Sequence, residues 1–592
     1  MTSSSGSRST PRPDGRGGGR GRSLLLALAI LAVALGLRWR AVDHGMPRNY
    51  VPDTHLVRSA LGMAQEKSLA PPVGRYSTYP NLLPYLLLPL YGGHFALGAA
   101  RGDWEGVEGF KDHLLEHPEG VHGIARRLMV VLGSLGALAI LLAARATGAT
   151  TGAWFAAWFT ATGLLHLHFS VQERPWIGVV LFASLAAWPA ALHAREPRLR
   201  RLLACGALAA LGAACHQSGM FLLALPGMAW LTSPRGWRGE DLVRRLFEGF
   251  ACVGLFLLVA ILVGYPSYLV HGLPEADRTV GGGQADLELG GQAMNLGLGL
   301  AHTPRLFLAM LGYDPVVLVL GCLGLLGLLR RRTGRGVALF TLLWLGFFLT
   351  YSNPHIRYLL PGLVLLALPA GEVAGKLFER GGPRRVLALV LALVPLLPAW
   401  QLGSLLAGED TRVEGEALLR GLPEGSVVLV DRYGPIVEQD RAALEELETI
   451  RRATGSELGR REARRLAGLQ AGVLEGGVRA HYAADLFHVD ELHGTAAPRP
   501  GLASEHGASV SEVLRGLGVT HALLVDRIEV GGEPDPLVGE LGELEEVALV
   551  SPCLEPASPG CELRLPMEMD LPWASLWSLR RSGPGLRLVR LP

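Results

Sequence analysis

The sequence predicts a mainly α-helical protein that crosses a membrane many times and carries a soluble α/β domain at its C-terminal end. Of its 592 residues, 49% are apolar and 18% are charged, and the mean hydropathy is +0.30. This composition is typical of a polytopic membrane protein with a more polar part attached. Residues 404–592 contain no apolar run long enough to cross a bilayer, so the polar part is expected there.

Apolar runs predict the membrane spans. A helix that crosses about 30 Å of hydrocarbon needs roughly 20 apolar residues. About eleven runs approach that length, and they occupy residues 23–42, 128–144, 149–170, 175–193, 199–215, 217–232, 246–269, 306–329, 336–352, 357–372 and 385–403. The chain therefore divides into a disordered cytoplasmic tail at 1–22, a transmembrane module at 23–403 and a soluble α/β domain at 404–592.

The positions of the arginine residues predict the orientation. The N-terminal tail and four later loops are rich in arginine, and such loops stay on the cytoplasmic side. All four loops reach the cytoplasm only if the run Leu82–Ala100 lies along the membrane or re-enters it instead of crossing it. The loops lie at residues 195–201, 235–245, 330–335 and 376–385. The C-terminal domain and the loops that carry Asp53 and Glu173 then share the outer face.

The composition also bears on the source of the chain and on its ligands. Only three of the 55 basic residues are lysine, and the chain is rich in alanine, glycine and leucine, which suggests a GC-rich bacterial genome. The expected location is the bacterial inner membrane, with the C-terminal domain periplasmic. Because a GC-rich genome by itself raises the arginine content, abundant arginine is weak evidence of a phosphate site. The sequence contains no CxxC or HExxH metal signature and no nucleic-acid-binding motif.

The six cysteines fall into two groups. Cys205, Cys215, Cys252 and Cys322 lie in apolar runs and are predicted to be core residues. Cys553 and the nearby Cys561 lie in the outer domain, where an oxidising periplasm permits a disulfide. The spacing alone leaves open whether they are bonded.

The C-terminal domain shows apolar strands that alternate with helices. Residues 425–431 and 520–526 read as buried strands, and residues 441–471 and 510–517 read as helical. This order predicts a small α/β domain. Asp431 ends the first of these strands and Asp526 ends the second. Acidic residues at strand ends are commonly exposed to solvent, so this explanation is preferred to a catalytic role for both.

Two acidic residues stand in the predicted outer loops of the module. Asp53 ends the segment Gly45-Met46-Pro47-Arg48-Asn49-Tyr50-Val51-Pro52-Asp53, and Glu173 stands in Gln172-Glu173-Arg174-Pro175. Two carboxylates at one hydrophobic–aqueous boundary suit an enzyme that takes a lipid-borne substrate. The alternative is structural, because each acid also stands where it can cap the helix that follows it.

These motifs resemble the GT-C glycosyltransferases, in particular the protein-mannosyltransferase and aminoarabinose-transferase family (family 39). The first loop resembles that family's Gly-x-Pro and Tyr-x-Pro-Asp-Glu pattern, although Thr54 replaces the usual Glu. Three later segments are also similar: Thr78–Tyr85, which is a juxtamembrane helix in the family, Gly206–Leu225, with His216 where Lys is frequent, and Ser352–Pro361. Leu164–Pro175 is similar to the second outer turn. The resemblance covers about 400 residues of the chain continuously.

The resemblance implies an integral-membrane glycosyltransferase that moves a sugar from a polyprenyl phosphate to an acceptor, with inversion. Asp53 then takes the family's catalytic role as general base, with Glu173 as a second acid in the site. A carboxylate within hydrogen-bond reach of the acceptor can act as such a base. Cations and hydrogen-bond donors stabilise the departing phosphate, and arginine suits phosphate because its planar fork binds two oxygens. The candidates for substrate binding are Arg357, His216, Arg174, His355, Arg305 and Tyr79.

The expected partners are a polyprenyl-phosphate sugar, membrane lipids and a lipid, glycan or protein acceptor, but no nucleic acid. No cofactor is expected. Two carboxylates from separate loops can hold a divalent cation, yet no His/Asp cluster supports one, so a metal is not favoured.

Two other classes compete with the enzyme. A transporter or flippase of lipid-linked sugars is expected to bury charges in mid-span, at roughly 2.5–3.5 kcal/mol each, or to show repeated halves. The predicted spans carry few charges at their centres. A non-catalytic envelope assembly factor is expected to tolerate Asp53→Asn.

Overall fold

The computed structural model describes residues 17–48, 54–71, 79–272, 279–280, 283–284, 287–289, 292–294, 297–351, 355–453, 456–490, 495–499, 502, 509–526, 536–542, 544–555 and 572–592. Asp53 and Cys561 lie outside this part of the chain, as do residues 1–16 of the predicted tail. The first helix begins at Gly17, so the last residues of that tail are helical rather than disordered.

The module is built from helices, as predicted. In chain order they are α1 (Gly17–Trp39), α2 (His55–Glu66), α3 (Leu82–Arg101), α4 (Gly106–Glu116), α5 (Glu119–Ala146), α6 (Thr151–Thr162), α7 (Leu164–Ser170), α8 (Trp176–Arg195), α9 (Leu199–Ala213), α10 (Ala224–Leu231), α11 (Gly239–Val259), α12 (Pro266–His271), α13 (Thr303–Tyr313), α14 (Pro315–Arg330), α15 (Arg332–Thr350), α16 (Leu360–Glu379), α17 (Gly382–Leu393) and α18 (Leu396–Leu406). The segments Gln217–Leu223 and Ile356–Leu359 are 3-10 helices, and Ala260–Gly264 is a π turn.

Fewer helices than expected have the length and hydropathy of a complete span. Eight described helices do, and the pair α13 and α14, bent by 110° at their junction, makes a ninth candidate. Three of the predicted apolar runs are broken or short in the structure. Residues 149–170 break into α6 and α7, residues 199–215 form only the short α9, and residues 217–232 begin as a 3-10 helix.

Helix α16 forms the centre of the module. Its span is 89% buried, the highest share among the candidate spans of the described chain. Small residues allow close contact with α6, because a Cβ atom at Gly371 would lie 2.5 Å from the backbone oxygen of Gly152. Close backbone approach at small residues is how membrane helices commonly associate.

The loops at one end of the module meet in a single layer, which we name the outer layer. Glu173, just before α8, contacts His122 in the first turn of α5 at 2.7 Å. Trp176, which begins α8, lies against His216, just after α9, with 4.2 Å between ring centroids. The start of α5, the start of α8 and the end of α9 therefore lie at the same level.

Helix α3 contacts the outer layer at its start and at its middle. At its start, the backbone N–H of Leu82 donates to the carbonyl of Ala214 at 3.1 Å. Near its midpoint, the hydroxyl of Tyr91 donates to the carbonyl of Val121 at 3.2 Å. Its length and hydropathy are those of a candidate span. The expectation that this segment lies along the membrane stays a prediction.

The C-terminal domain contains the expected parallel strands within a mixed sheet. Strands β5 (Val428–Val430), β6 (Ala480–Tyr482), β9 (His521–Asp526), β10 (Glu545–Val550) and β11 (Gly585–Arg590) pair in the order β10-β11-β9-β5-β6. Strand β5 runs parallel to β6 and β9, whereas β11 is antiparallel to both of its neighbours. The short hairpins are β1 (Thr279–Val280) with β2 (Gly283–Gln284), β3 (Leu287–Leu289) with β4 (Gln292–Met294) and β7 (Phe487–Asp490) with β8 (Thr495–Pro498). The domain's helices are α19 (Thr411–Arg420), α20 (Arg441–Ala453), α21 (Arg460–Gln470), α22 (Ala483–Leu486), α23 (Val510–Gly516), α24 (Pro536–Glu540) and α25 (Trp573–Leu576).

Ion pairs join this domain to the outer layer. Arg48 of the first outer loop contacts Glu416 of α19 at 2.7 Å. Arg464 of α21 contacts Asp112 of α4 at 2.8 Å. The domain therefore lies on the same side as the loops that carry the candidate site, as the loop charges predict.

The cysteines follow the prediction in part. Cys205, Cys215 and Cys252 are free and buried, but Cys322 is exposed on α14, which corrects its assignment to the core. Cys553 is disulfide-bonded. Its expected partner, Cys561, lies outside the described residues.

Candidate functional site

Aromatic rings and histidines from five separate segments meet in the outer layer. Tyr79 lies between His55 and His216, with ring centroids 4.8 Å and 5.3 Å away. On the far side of His216, Trp176 lies 4.2 Å away and contacts Tyr358 at 5.0 Å. We name these five residues the aromatic cluster. It brings together Tyr79 and His216, two of the predicted substrate-binding residues.

The local backbone fixes the tautomer of His216. This residue caps the 3-10 helix Gln217–Leu223, and its Nδ1 accepts a hydrogen bond from the backbone N–H of Ser218 at 3.1 Å. Because a backbone N–H can only donate, Nδ1 carries no proton in this arrangement. In the neutral ring the proton is then on Nε2, which makes that nitrogen a hydrogen-bond donor.

Arg357 and His355 lie beside the same cluster. Arg357 belongs to the 3-10 helix Ile356–Leu359, and its guanidinium carbon is 5.6 Å from the ring centroid of Tyr358. His355 lies 5.7 Å from the same ring. The charge of Arg357 is close enough to act on His216. A half-buried arginine and a donating histidine thus lie at the outer ends of the spans.

Glu173, three residues before Trp176 in the chain, belongs to a buried charged group. Its side chain is fully enclosed, with Oε1 2.7 Å from His122 Nδ1 and Oε2 3.8 Å from Arg126 Nε. Arg126 also donates to the carbonyls of Val42 and His44, at 3.2 Å and 2.5 Å. Glu173 is therefore bound from α5, and α5 in turn holds the start of the first outer loop.

Burial keeps His44, at the start of the first outer loop, uncharged. Desolvation and the nearby charge of Arg126 hold the pKa of His44 well below its usual value. His44 is consequently neutral at physiological pH, and its Nδ1 contacts the carbonyl of Ala41 at 2.8 Å. The positive charge at this point therefore comes from Arg126.

A second buried arginine fixes the break between α6 and α7. Arg38, at the end of α1, has no exposed surface. It donates to the carbonyl of Ala161 at 2.8 Å and lies 3.0 Å from His166 Nδ1. These contacts tie the helix that leads to the first outer loop to the helix that leads to Glu173.

The remaining predicted residues are placed less centrally. Arg174 is buried, with its guanidinium carbon 5.9 Å from the ring centroid of Phe169. Arg305 is exposed on α13 and does not belong to the aromatic cluster. Asp53 falls outside the described residues, and the chain that flanks it continues to Arg48 on one side and to His55 on the other.

The described N-cap positions belong to neighbours of the two candidate acids. Helix α2 has Thr54 as its N-cap residue, without a side-chain capping bond, and Asp53 lies outside the described residues. Helix α8 has Pro175 in that position. Glu173 contacts the side chains of His122 and Arg126 of α5.

Metal binding is not decided by this geometry. Within the described ranges, no group of three His, Cys, Asp or Glu side chains converges in a way that could hold a metal ion. Asp53 is not among the residues that the structure describes. The expectation of a metal-free site stays a prediction.

Sequence reasoning missed His122, Arg126 and Trp176. All three stand in the first two turns of helices that face the outer layer. Their contacts depend on how α5 and α8 pack, and a single sequence carries no signal of that packing. Their positions near helix starts were the only available indication.

Comparisons with protein-family profiles and with curated sequences each found no match. Solved structures similar to the chain include GT-C glycosyltransferases. The oligosaccharyltransferase of Archaeoglobus fulgidus has a TM-score of 0.44 and 11% identity, covering 85% of this chain and 69% of that one. ArnT from Cupriavidus metallidurans has a TM-score of 0.40 and 16% identity, with coverages of 69% and 66%. The arabinofuranosyltransferase AftD from Mycobacteria has a TM-score of 0.43 and 14% identity, with coverages of 95% and 40%.

Proposed function

We propose that the chain is an integral-membrane glycosyltransferase that moves a sugar from a polyprenyl phosphate to an acceptor on the outer face. One observation carries the proposal. Tyr79, His216 and Arg357 come from three separate segments and meet in or directly beside the aromatic cluster, where the apolar helices end. A lipid phosphate sits at that depth in a membrane, so the cluster is suited to its head group.

The phosphate is bound by Arg357 and His216. Arg357 supplies a permanent charge in a planar fork that matches two phosphate oxygens. His216 donates from Nε2, because its Nδ1 is occupied by Ser218. Both groups stabilise the negative charge that develops on the phosphate oxygen as the sugar leaves.

Asp53 is the general base for the acceptor. The nucleophile attacks the anomeric carbon from the face opposite the phosphate and loses its proton to Asp53. The electron pair of the broken carbon–oxygen bond goes to the phosphate, and the configuration at that carbon inverts. The motif around Asp53 and the outer position of the flanking Arg48 support this role.

A flippase fits the buried charges of the module less well. Arg38 and Asp314 are both buried in the module. However, Arg38 donates to the carbonyl of Ala161, and Asp314 accepts from the backbone N–H of Leu164 at 2.8 Å. Both charges thus have backbone partners at the break between α6 and α7, which favours a structural role for them.

The deciding experiment incubates the purified protein with a panel of radiolabelled polyprenyl-phosphate sugars. At least one donor is expected to be hydrolysed or to transfer its sugar to a protein, lipid or glycan acceptor, with inversion. If no donor reacts while vesicles containing the protein move a labelled donor between leaflets, the chain is a flippase.

A separate experiment tests on which side of the membrane each part of the chain lies. Reporter fusions at residues 240 and 334 are expected to be cytoplasmic, and one at residue 420 external. A cytoplasmic reading at 420 would rule out a site on the outer face.

A further inference from the structure

The C-terminal domain has an open cleft beside the N-terminal ends of strands β6 and β9. Its volume of about 640 Å³ is within the usual range for sites that bind small molecules. Helix α20 contributes Ala442, Glu445 and Thr449 to the lining, and Arg479 adds to it just before β6. The rest of the lining includes the end of α23 and the turn after it, residues 515–518. The proposed reaction makes no use of this cleft.

Two acids of α20 are fixed as hydrogen-bond acceptors in the cleft. Glu445 Oε1 contacts Arg441 Nε at 2.8 Å, and this hydrogen bond lowers the pKa of Glu445. Glu446 contacts Arg479, and its Oε2 lies 3.0 Å from Nε2 of the buried His481. Although burial raises the pKa of Glu446, hydrogen bonds from His481 and Arg479 lower it below its usual value. Both acids are therefore ionised at physiological pH and can only accept.

Arg515 gives the cleft an excess of positive charge. It stands in the last turn of α23 with its side chain exposed. Arg441 and Arg479 each pair with an acid of α20, whereas Arg515 forms no ion pair within the part of the chain that the structure describes. A guanidinium without an acidic neighbour is suited to the carboxylate or phosphate of a ligand.

The polar groups of the cleft match a sugar chain. Each sugar hydroxyl both donates and accepts hydrogen bonds, so it needs acceptors and donors close together. The carboxylates of Glu445 and Glu446 accept, and the partly exposed guanidinium of Arg479 donates. Thr449 adds a hydroxyl group of its own. An oligosaccharide that carries an acidic group supplies the hydroxyls for this wall and a negative charge for Arg515.

Helix α21 connects the cleft to the membrane module. Gln470 of this helix donates to Glu445 at 3.4 Å, and Arg464 of the same helix contacts Asp112 of α4 at 2.8 Å. Gln470 follows Arg464 by six residues, which in a helix is about 9 Å. The cleft is therefore one helix away from α4, on the side of the module where the proposed transfer takes place.

We propose that the cleft binds an acidic oligosaccharide segment of the acceptor. Arg515 binds the acidic group, and the acids of α20 bind sugar hydroxyls. The inference rests on the proposed function and deepens it, because it selects a glycan among the possible acceptors. The cleft holds the acceptor and takes no part in the chemical step.

The test measures binding of the full-length protein, in lipid nanodiscs and without donor, to an array of bacterial surface oligosaccharides. The array contains neutral chains and matched chains that carry uronic acids. The wild type is expected to bind at least one uronic-acid chain more tightly than its neutral counterpart. Arg515→Ala is expected to bind that chain about threefold to tenfold more weakly and to lose the preference. Equal affinity of the wild type for neutral and acidic chains would overturn the proposal.

Helix α20 offers a matched control. Glu445 and Glu448 each pair with an arginine four residues away, at 2.8 Å and 3.0 Å, and both side chains are 43% exposed. Glu445 lines the cleft and Glu448 does not. Glu445→Gln is expected to weaken glycan binding about threefold to tenfold, and Glu448→Gln to leave it unchanged. Ala442→Tyr fills the cleft without removing a polar group and is expected to weaken binding further, with thermal unfolding as the check of its fold.

The outcomes separate the two proposals. If the wild type reacts with no donor in the panel but binds the acidic chain through the cleft, the proposed function fails and the cleft remains a glycan site. In an active enzyme, Ala442→Tyr is expected to raise KM for the glycan acceptor and to leave kcat unchanged. If the wild type is active, the cleft alone is refuted when no glycan on the array binds, when Glu445→Gln and Ala442→Tyr bind like the wild type, or when transfer reaches only protein or lipid.

Discussion

Glu173 in the membrane module and Asp431 in the C-terminal domain are both buried acids that follow an apolar segment, yet they are held differently. Asp431 accepts from the backbone N–H of Val525 at 3.0 Å and from that of Arg432 at 2.6 Å, which links β5 to β9. Glu173 is held by the side chains of His122 and Arg126. A carboxylate that accepts hydrogen bonds from the backbone stabilises the fold. A carboxylate that orients an ionisable, partly exposed side chain can instead influence the binding of a ligand.

This contrast corrects the prediction for Asp431. The sequence suggests a solvated acid at a strand end, but the side chain is only 2% exposed. Its two hydrogen bonds from the backbone favour a structural role, and the preference against catalysis stays a prediction. The side chain of Asp526 is outside the described part of the chain.

The largest expected effect is that of Asp53→Asn. Asparagine has nearly the same shape but cannot take a proton, and a positioned base typically contributes about 10²–10⁴-fold. Steady-state transfer is expected to fall by that factor while donor binding stays close to that of the wild type. Asp43 is the matched control, since it is exposed in the same loop and pairs with Arg127 at 3.3 Å. A large loss of transfer in Asp43→Asn would show that the loop as a whole is sensitive.

Arg357→Ala tests the phosphate site. Loss of a charged hydrogen-bonding group costs about 1.5–3 kcal/mol, so both the donor and polyprenyl phosphate are expected to bind roughly 10- to 100-fold more weakly. Arg357→Lys keeps the charge but loses the fork and is expected to bind both ligands with intermediate affinity. Equilibrium binding measures both variants. Wild-type affinity in Arg357→Ala would remove this residue from the site.

Arg48→Ala tests whether the C-terminal domain supports the first outer loop. Arg48 and Glu416 are mostly buried, at 19% and 7% exposure, and the pair lies five residues from Asp53 in the chain. Transfer is expected to fall about threefold to tenfold, because Arg48 acts on catalysis only by holding the loop in place and an effect of about 0.5–1.5 kcal/mol is typical of one hydrogen bond. Arg464→Ala is the control, because its pair with Asp112 is exposed and such pairs contribute only about 0–1 kcal/mol. Equal effects of the two variants would argue against a special role of Arg48.

Asp431→Asn is expected to have the smallest effect on catalysis. The amide nitrogen of asparagine would face one of the two backbone N–H groups, so the free energy of unfolding is expected to fall by about 1–3 kcal/mol. Thermal unfolding of the full chain measures the change, and transfer per folded molecule should match that of the wild type. A stable variant with low transfer would assign Asp431 to the chemistry.

The sequence predicted the parts of the fold that depend on local pattern. Long apolar runs identified most of the candidate spans, and the basic loops predicted the C-terminal domain on the side of the first outer loop, where Arg48 contacts Glu416. Hydropathy did not reveal the helix break at Gly163, where Arg38 and Asp314 bind the ends of α6 and α7. For the site, loop motifs singled out Tyr79, His216 and Arg357, which lie together in or beside the aromatic cluster; their role in substrate binding stays a prediction. His122 and Arg126 were missed because their roles arise from packing between helices distant in sequence.

The most direct test of the account is a single-turnover reaction with saturating polyprenyl-phosphate sugar, comparing the wild type with Asp53→Asn. Single turnover isolates the chemical step from binding and product release. The account predicts that the wild type transfers the sugar with inversion and that the variant, correctly inserted and loaded with donor, is slower by about 10²–10⁴-fold. Transfer by Asp53→Asn within a few-fold of the wild-type rate would contradict the central claim that Asp53 is the catalytic base.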